Sequence, residues 1–430
     1  MRKLLPLLLL SCTLVAQAPQ VLTLDQAIEQ ALVNNLDLSA ARYGISVAQA
    51  REITARLRPN PVLSLSGDHL DLLGTGFNAI NNAGPNEFAW RTDFILERGG
   101  KRAARMNLAS LETSLAELRF RDALRRLVLD VETAFVDVQL AKENLQLAQE
   151  NLASLNAIVK INTERVRTGD LAPVELERSR LAAMQYETAV RKADLELRQA
   201  KTRLQLLLGR STTSIEIDVT GPIRRDQQRL ELAQIRTLAQ TQRPDLLEMR
   251  QTQVRNQADL RLQLAQGRVD YSTGVEYRRQ QGIAGTGNSL GFFFSAPLPV
   301  FNRNQGEIAR AEREIQQAKA QILALEARID SEIASAWQQY TTSRELLEDI
   351  EERMVAKARD VRNTTEYSYR RGEASLVEFL DAQRAFNEIM HSYNEARANY
   401  AKSLYLIDSV TATSITQADP QRRPAPEARP

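Results

Sequence analysis

YSYRRGEASLVEFLDAQRA (residues 367–385) has a counterpart far upstream, ERVRTGDLAPVELERSRLA (164–182). In each, a glycine follows basic residues, and then come an acid, a small residue and Val-Glu. Gly169 aligns with Gly372 and Glu175 with Glu378, both 203 residues apart. A glycine accepts the positive φ that ends many helices. The preceding Arg167, Arg370 and Arg371 suit the negative end of a helix dipole. Pro173 stands where a first helical turn tolerates proline. One copy of such a turn is an ordinary helical hairpin; two copies in equivalent places make a repeat.

The sequence on either side of each turn is helical. From Lys101 to Arg167 apolar residues recur at steps of three and four, among them Leu108, Leu115, Leu124, Val131, Val138, Leu145, Leu152 and Val159. The second half keeps a strict seven, Ile308, Ile315, Ile322, Ile329 and Ala336. Such persistence points to coiled-coil packing. Return arms are expected from Pro173 to Leu208 and from Ser375 to Ile407.

Each long arm is preceded by a different texture. PVLSLSGDHL (61–70) and FAWRTDF (88–94), then YSTGVEY (271–277) and LGFFFSA (290–296), alternate with a period of two. Phe88, Trp90 and Phe94, Tyr271 and Tyr277, and Phe292 and Phe294 fall on the apolar faces. The connections 71–87 and 280–289 are rich in Gly and Asn and read as exposed loops. Pro59, Pro61, Pro297, Pro299 and Gly99–Gly100 punctuate the helix–strand junctions. Four such strands suit either a small soluble sheet or part of a membrane barrel with its aromatics facing lipid. Four cannot close a barrel, so in lipid two chains would give eight strands and three would give twelve.

Composition narrows the function. The 430 residues have 5% aromatics, 18 Gly, 14 Pro and a formal charge of +2, with no basic stripe of the kind nucleic acid requires. Residues 1–18 have the form of a secretory signal: Arg2 and Lys3, an apolar run from Leu4 to Val15, and Ala16-Gln17-Ala18 before the cut. Acylation of Cys12, after Leu9-Leu10-Ser11, is the competing outcome. The tail, residues 411–430, has too little apolar content to order itself. Neither HExxH, CxxC, a phosphate-binding glycine loop nor a nucleophile elbow occurs, so no reaction, cofactor or metal site is expected. Met390 and His391, adjacent on a helix, point about 100° apart and make a poor metal pair.

Helix, β-hairpin, long helix, glycine turn and return helix, all repeated once in an exported chain, resemble the TolC family of outer-membrane efflux proteins over residues 22–408. RRGEASLVEFLDAQRA and LERGGKRAAR (96–105) are the most specific matches, the latter most like the CzcC-type branch of heavy-metal and cation efflux. The fold class expected is mainly α with a small β part: long antiparallel coiled-coil hairpins in two structural repeats, 19–224 and 225–410, plus four strands given to an intermolecular transmembrane barrel. The resemblance implies a homotrimer in outer-membrane lipid that extends into the periplasm. It also implies a periplasmic adaptor, an inner-membrane pump of the RND type, and cargo such as metal cations or small toxic compounds. A periplasmic adaptor, a structural envelope protein and a type I secretion duct are the rival readings.

Two sets of site residues follow. The tips, Arg167, Thr168, Gly169 and Asp170 with Arg371, Gly372, Glu373 and Ser375, are the candidate docking points. In the family, acids matching Glu378 and Asp381 face the pore at its periplasmic constriction, although Glu378 stands where Asp is more usual. These two are the candidate gate, with pKa values expected to rise by mutual repulsion. Their counterparts in the first tip are Glu175 and Arg178, so that copy lacks the second acid.

Overall fold

A computed structural model describes residues 20–70, 72, 74, 86–210, 216–226, 229–282 and 285–414. The expected signal segment with Cys12, most of the connection 71–87 and the tail from 415 lie outside these. The chain runs β1 (Gln20–Leu22), α1 (Leu24–Asn34), α2 (Leu36–Arg56), β2 (Val62–Asp68), β3 (Glu87–Leu96), α3 (Lys101–Thr168) and α4 (Pro173–Leu207). It continues through β4 (Ile217–Val219), α5 (Leu232–Gln242), α6 (Pro244–Gln266), β5 (Tyr271–Gly282), β6 (Gly285–Ser295) and α7 (Gln305–Asp349). A π-helical turn (Ile350–Val355), α8 (Ala356–Arg371) and α9 (Leu376–Thr411) complete it. Two compact units result: Ala40–Asp122 with Pro244–Arg328 forms one, and the remainder forms the other.

The first of these units holds a four-stranded antiparallel sheet in the order β2-β3-β5-β6. Its register brings like side chains into rows. Leu65 pairs with Trp90, Trp90 with Tyr277, and Tyr277 with Leu290; Leu63, Thr92, Val275 and Phe292 form the next row. One face is thereby apolar across all four strands, because side chains two apart share a face. The opposite face is charged and internally paired. Arg91 bonds Asp93 at 2.8 Å and lies 4.0 Å from the centre of the Phe293 ring, while Arg278 holds Glu87 at 2.7 Å and Glu276 at 2.9 Å. Gly274 makes room for this cluster, since a Cβ there would stand 2.3 Å from an Asp93 carboxylate oxygen. The connection expected over 280–289 is much shorter. Cross-strand pairing continues to Gly282 and Gly285 and leaves two residues between the strands.

Sheet-to-helix junctions repeat like the tips. Gly99 has φ +74° and Asn304 φ +64°, each at the entry to a long helix. They are 205 residues apart, as are Arg98 and Arg303, and Arg105 and Arg310. Asn304 holds its left-handed conformation by donating its amide to the main-chain and side-chain oxygens of Gln263, at 2.8 and 3.0 Å. Gly99 has no such freedom: a Cβ would meet Arg268 at 2.7 Å.

In the other unit, β1 and β4 form a short parallel pair. Neither strand, three residues long, was expected from the sequence. Asn35 ties α1, α2 and α4 together: its side chain accepts from Leu38 N–H and donates to the Leu207 carbonyl, both at 2.9 Å. Helix α3 has 68 residues, about 100 Å at about 1.5 Å per residue. Its expected span was one residue shorter. Helix α9 runs past the expected Ile407 to Thr411, and Ser414 beyond it is still buried.

Candidate functional site

Both glycine turns form as the sequence requires. Gly372 has φ +81° and caps α8 in the left-handed conformation; Gly169 has φ +87°. The main-chain bonds are the same in both. Gly372 N–H reaches Tyr369 O at 3.0 Å and Glu373 N–H reaches Ser368 O at 2.9 Å, while Gly169 and Asp170 reach Val166 O and Arg165 O at 3.2 and 2.8 Å. The longer loop is the six-to-one bond of a Schellman cap. Arg167, Thr168, Gly169, Asp170, Arg371, Gly372, Glu373 and Ser375 are all exposed. Several are held locally: Thr168 donates to Asp170 at 2.6 Å, Arg167 pairs with Glu164 at 2.8 Å, and Arg371 lies over the Tyr367 ring at 4.6 Å.

Beneath the turns the four helices share one core. Leu155 and Ile158 of α3, Ala182 and Ala183 of α4, Tyr369 of α8 and Leu376 and Phe379 of α9 form a buried cluster. Tyr369 stacks on Phe379 with ring centres 5.6 Å apart and donates its hydroxyl to Asn162 at 2.7 Å. Polar groups continue along the seam between α3 and α9. Gln383 donates to Asn151 at 2.8 Å, Asn151 to Asn387 at 2.6 Å, and Asn394 to Asn144 at 3.1 Å. Buried amides of this kind fix the register of coiled helices, since a slip leaves them unpaired. None of these residues was singled out from sequence. The seven-residue spacing of Asn144 and Asn151, matched by Asn387 and Asn394, was the available signal.

Glu378 and Asp381 occupy the first turns of α9, both exposed. Glu378 closes a capping box. Its carboxylate accepts from the Ser375 main-chain N–H at 2.7 Å and the Ser375 hydroxyl at 3.0 Å, and its own N–H donates back to Ser375 Oγ at 3.3 Å. The hydrogen bond from the Ser375 main chain holds its pKa below the ordinary carboxylate value, opposite to the rise expected from mutual repulsion. Among the described residues neither acid pairs with Arg371 or Arg384. In the first tip Glu175 and Arg178 form an ion pair at 2.8 Å. At this position the two tips thus differ in charge: an ion pair stands in the first and, among the described residues, two exposed acids without a cationic partner in the second.

On the sheet, Phe88, Trp90, Phe94, Tyr277, Phe292 and Phe294 are exposed, Phe292 by 78%, and Tyr271 is partly so. No described helix is long and apolar enough to cross a membrane. Among the described residues no group of three or more His, Cys, Asp or Glu is arranged to hold a metal ion.

Paired long helical hairpins with a sheet whose apolar face is bare to solvent define a class of envelope channel proteins. The chain belongs to the outer membrane efflux protein family, whose pattern matches residues 27–210 and 235–412. It is 25% identical over 387 residues to the cobalt-zinc-cadmium resistance protein CzcC of Cupriavidus metallidurans, covering 86% of this chain and 84% of that one. Its fold matches the Campylobacter jejuni CmeC outer membrane channel with a TM-score of 0.74 at 16% identity, covering 93% and 90% of the two chains. CusC matches with a TM-score of 0.73 at 20% identity, covering 93% and 95%. The protein is an outer-membrane efflux duct that extends into the periplasm.

Proposed function

We propose that the protein works as a homotrimer that passes metal cations to the exterior, receiving them from a periplasmic adaptor and an inner-membrane pump of the RND type. The observation that carries this reading is the sheet: an exposed apolar face with unpaired outer edges on β2 and β6. Open edges do not persist in lipid, so β2 of one copy pairs with β6 of the next, and three copies close twelve strands. Helix α2 supports the same arrangement. Tyr43, Val47, Ala50 and Thr54 recur at steps of four and three on its exposed side, while Ala48 is buried on the other. Such a second seam suits a neighbouring copy. The aromatics Phe88, Trp90, Phe94, Tyr271, Tyr277, Phe292 and Phe294 face lipid. Residues 19–224 and 225–410 act as the two repeats, and the exposed turns at Gly169 and Gly372 offer the adaptor six quasi-equivalent sites. Glu378 and Asp381 set six carboxylates around one opening and favour cations there.

The cargo follows the likeness to a cobalt-zinc-cadmium resistance protein. The deciding experiment is export of Co, Zn and Cd ions by cells carrying the cognate pump and adaptor with and without this protein. Loss of export without it supports the reading. Unchanged metal export, with dye or antibiotic export lost instead, assigns another cargo.

A further inference from the structure

The end of the sheet nearest the helices carries an arginine whose guanidinium pairs with no described carboxylate. Tyr271 opens β5 and pairs with Leu96, the last residue of β3. By alternation it shares the apolar face with Thr273, Val275 and Tyr277. Its ring meets the Phe294 ring edge-on, centres 5.2 Å apart. Arg98, two residues beyond Leu96, lies over the Tyr271 ring, 4.2 Å from its centre, and donates Nη1 to the Tyr271 hydroxyl. The main chain there is fixed, because Arg98 N–H donates to Asp270 Oδ1 at 2.9 Å. Asp270 does not neutralise the guanidinium: its other oxygen takes Lys101 Nζ at 2.7 Å. Among the described residues no carboxylate lies within 4.0 Å of the Arg98 guanidinium. Four other arginines of the junctions and sheet differ: Arg91, Arg105, Arg278 and Arg310 each hold at least one acid.

We propose that Arg98 and Tyr271 form a binding site for the phosphate of a phospholipid headgroup, one per chain, at the inner rim of the barrel. The inference rests on the lipid-facing placement of the sheet. A guanidinium presents a planar fork of donors that matches phosphate oxygens two at a time. Among the described residues only its Nη1 is engaged, and the Tyr271 ring lies beneath its central carbon. Leu96, Phe94 and Phe294 stand directly beyond it on the same face, where the acyl chains of that lipid would lie. This makes a lipid phosphate the ligand, because free phosphate gains nothing from the apolar neighbours. Arg303, the exposed counterpart of Arg98 in the second repeat, donates Nε to the Pro299 carbonyl at 3.0 Å, and among the described residues no ring lies under its guanidinium. It supplies the internal control.

The test is native mass spectrometry of the delipidated detergent-purified protein titrated with phosphatidylglycerol. Wild type should retain about one tight lipid per chain, Arg98→Gln should weaken that binding tenfold or more, and Arg303→Gln should leave it unchanged. Equal retention by Arg98→Gln overturns the proposal. So does full displacement by inorganic phosphate at the lipid's own concentration, which marks a plain anion site. Quenching of Trp90 fluorescence by brominated acyl chains, measured on the same reconstituted protein, separates the two readings. Quenched Trp90 with unaltered lipid retention removes the headgroup site alone, whereas unquenched Trp90 removes the lipid-facing sheet and this site with it.

Discussion

Arg165, in the last turn of α3, donates to the main-chain oxygen of Tyr369 at 3.3 Å, and its second nitrogen reaches the oxygen of Arg370. A side chain of the first repeat thus caps α8, the helix that leads into the second tip, where unsatisfied carbonyls carry partial negative charge. By the offset of 203, the residue matching Arg165 is Ser368, so the contact is not reciprocated.

Arg165→Ala should loosen the second tip by about 1.5–3 kcal/mol, the range for hydrogen bonds to charged groups. Hydrogen exchange over 368–373 should quicken while the strands keep their protection. Unchanged exchange there would show that the tip core alone fixes α8.

The gate acids need substitutions that spare the cap. Gln serves in a capping box as Glu does, so Glu378→Gln with Asp381→Asn removes charge without unfastening Ser375. Cation preference, read as the reversal potential in a salt gradient, should fall toward zero. A preserved reversal potential would place the selectivity elsewhere along the duct.

Glu132 of α3 is 6% exposed, and its Oε2 has no hydrogen-bond partner. Burial first, then the nearby Asp408 charge, pushes its pKa up to about 8, and Arg224 opposes them. Tyr405 also lies within electrostatic reach of Glu132, and Arg224 binds both Asp226 and Asp408. Because the folded state favours the protonated acid, its burden on stability is absent below the model-peptide value of 4.5. The burden grows as pH rises toward 8 and then levels off, on the order of 4 kcal/mol per chain. Glu132→Gln should flatten the fall in melting temperature between pH 5 and 8 of a titrated series. An unaltered slope would mean that Glu132 is not its source.

Gly372 has open space where a Cβ would go, so size is not the obstacle there. Its φ of +81° is. Gly372→Ala should cost about 1–2 kcal/mol through the left-handed backbone alone and reduce adaptor pull-down while barrel insertion persists. Gly209→Ala, by contrast, would drive a Cβ to 2.2 Å from the Asn34 carbonyl oxygen and should lower expression of the whole protein.

What the sequence disclosed and what it hid divide along physical lines. Helix α3 was legible to within a residue because dozens of apolar positions vote on one period. The glycine turns were legible because few residues other than glycine accept that backbone. The β5–β6 connection was misread as a loop: Gly282, Gly285, Gly287 and Asn288 are turn formers locally, and only pairing with a partner strand overrides that preference. The β1–β4 pair was invisible, since three residues carry no period and their partners lie nearly two hundred residues away. Arg165 escaped notice for another reason: its partners are main-chain oxygens, which leave no mark on the residue types opposite.

The π-helical turn at Ile350–Val355 has a consequence for phase. From junction to tip the first repeat counts 71 residues, Arg98 to Gly169, and the second 69, Arg303 to Gly372. Two residues fewer would turn a helix by about 200° and aim the second tip at the wrong neighbours. A π turn absorbs roughly one residue without advancing the spiral. The second arm is then short by about three α-helical residues, or about 300°, which nearly closes a full revolution. By this count alone the two arms differ by nearly one whole turn of helix. Deleting one residue inside 350–355 should restore plain α-helix and spare the tip. The same deletion elsewhere in α7 should rotate everything beyond it by about 100° and abolish efflux.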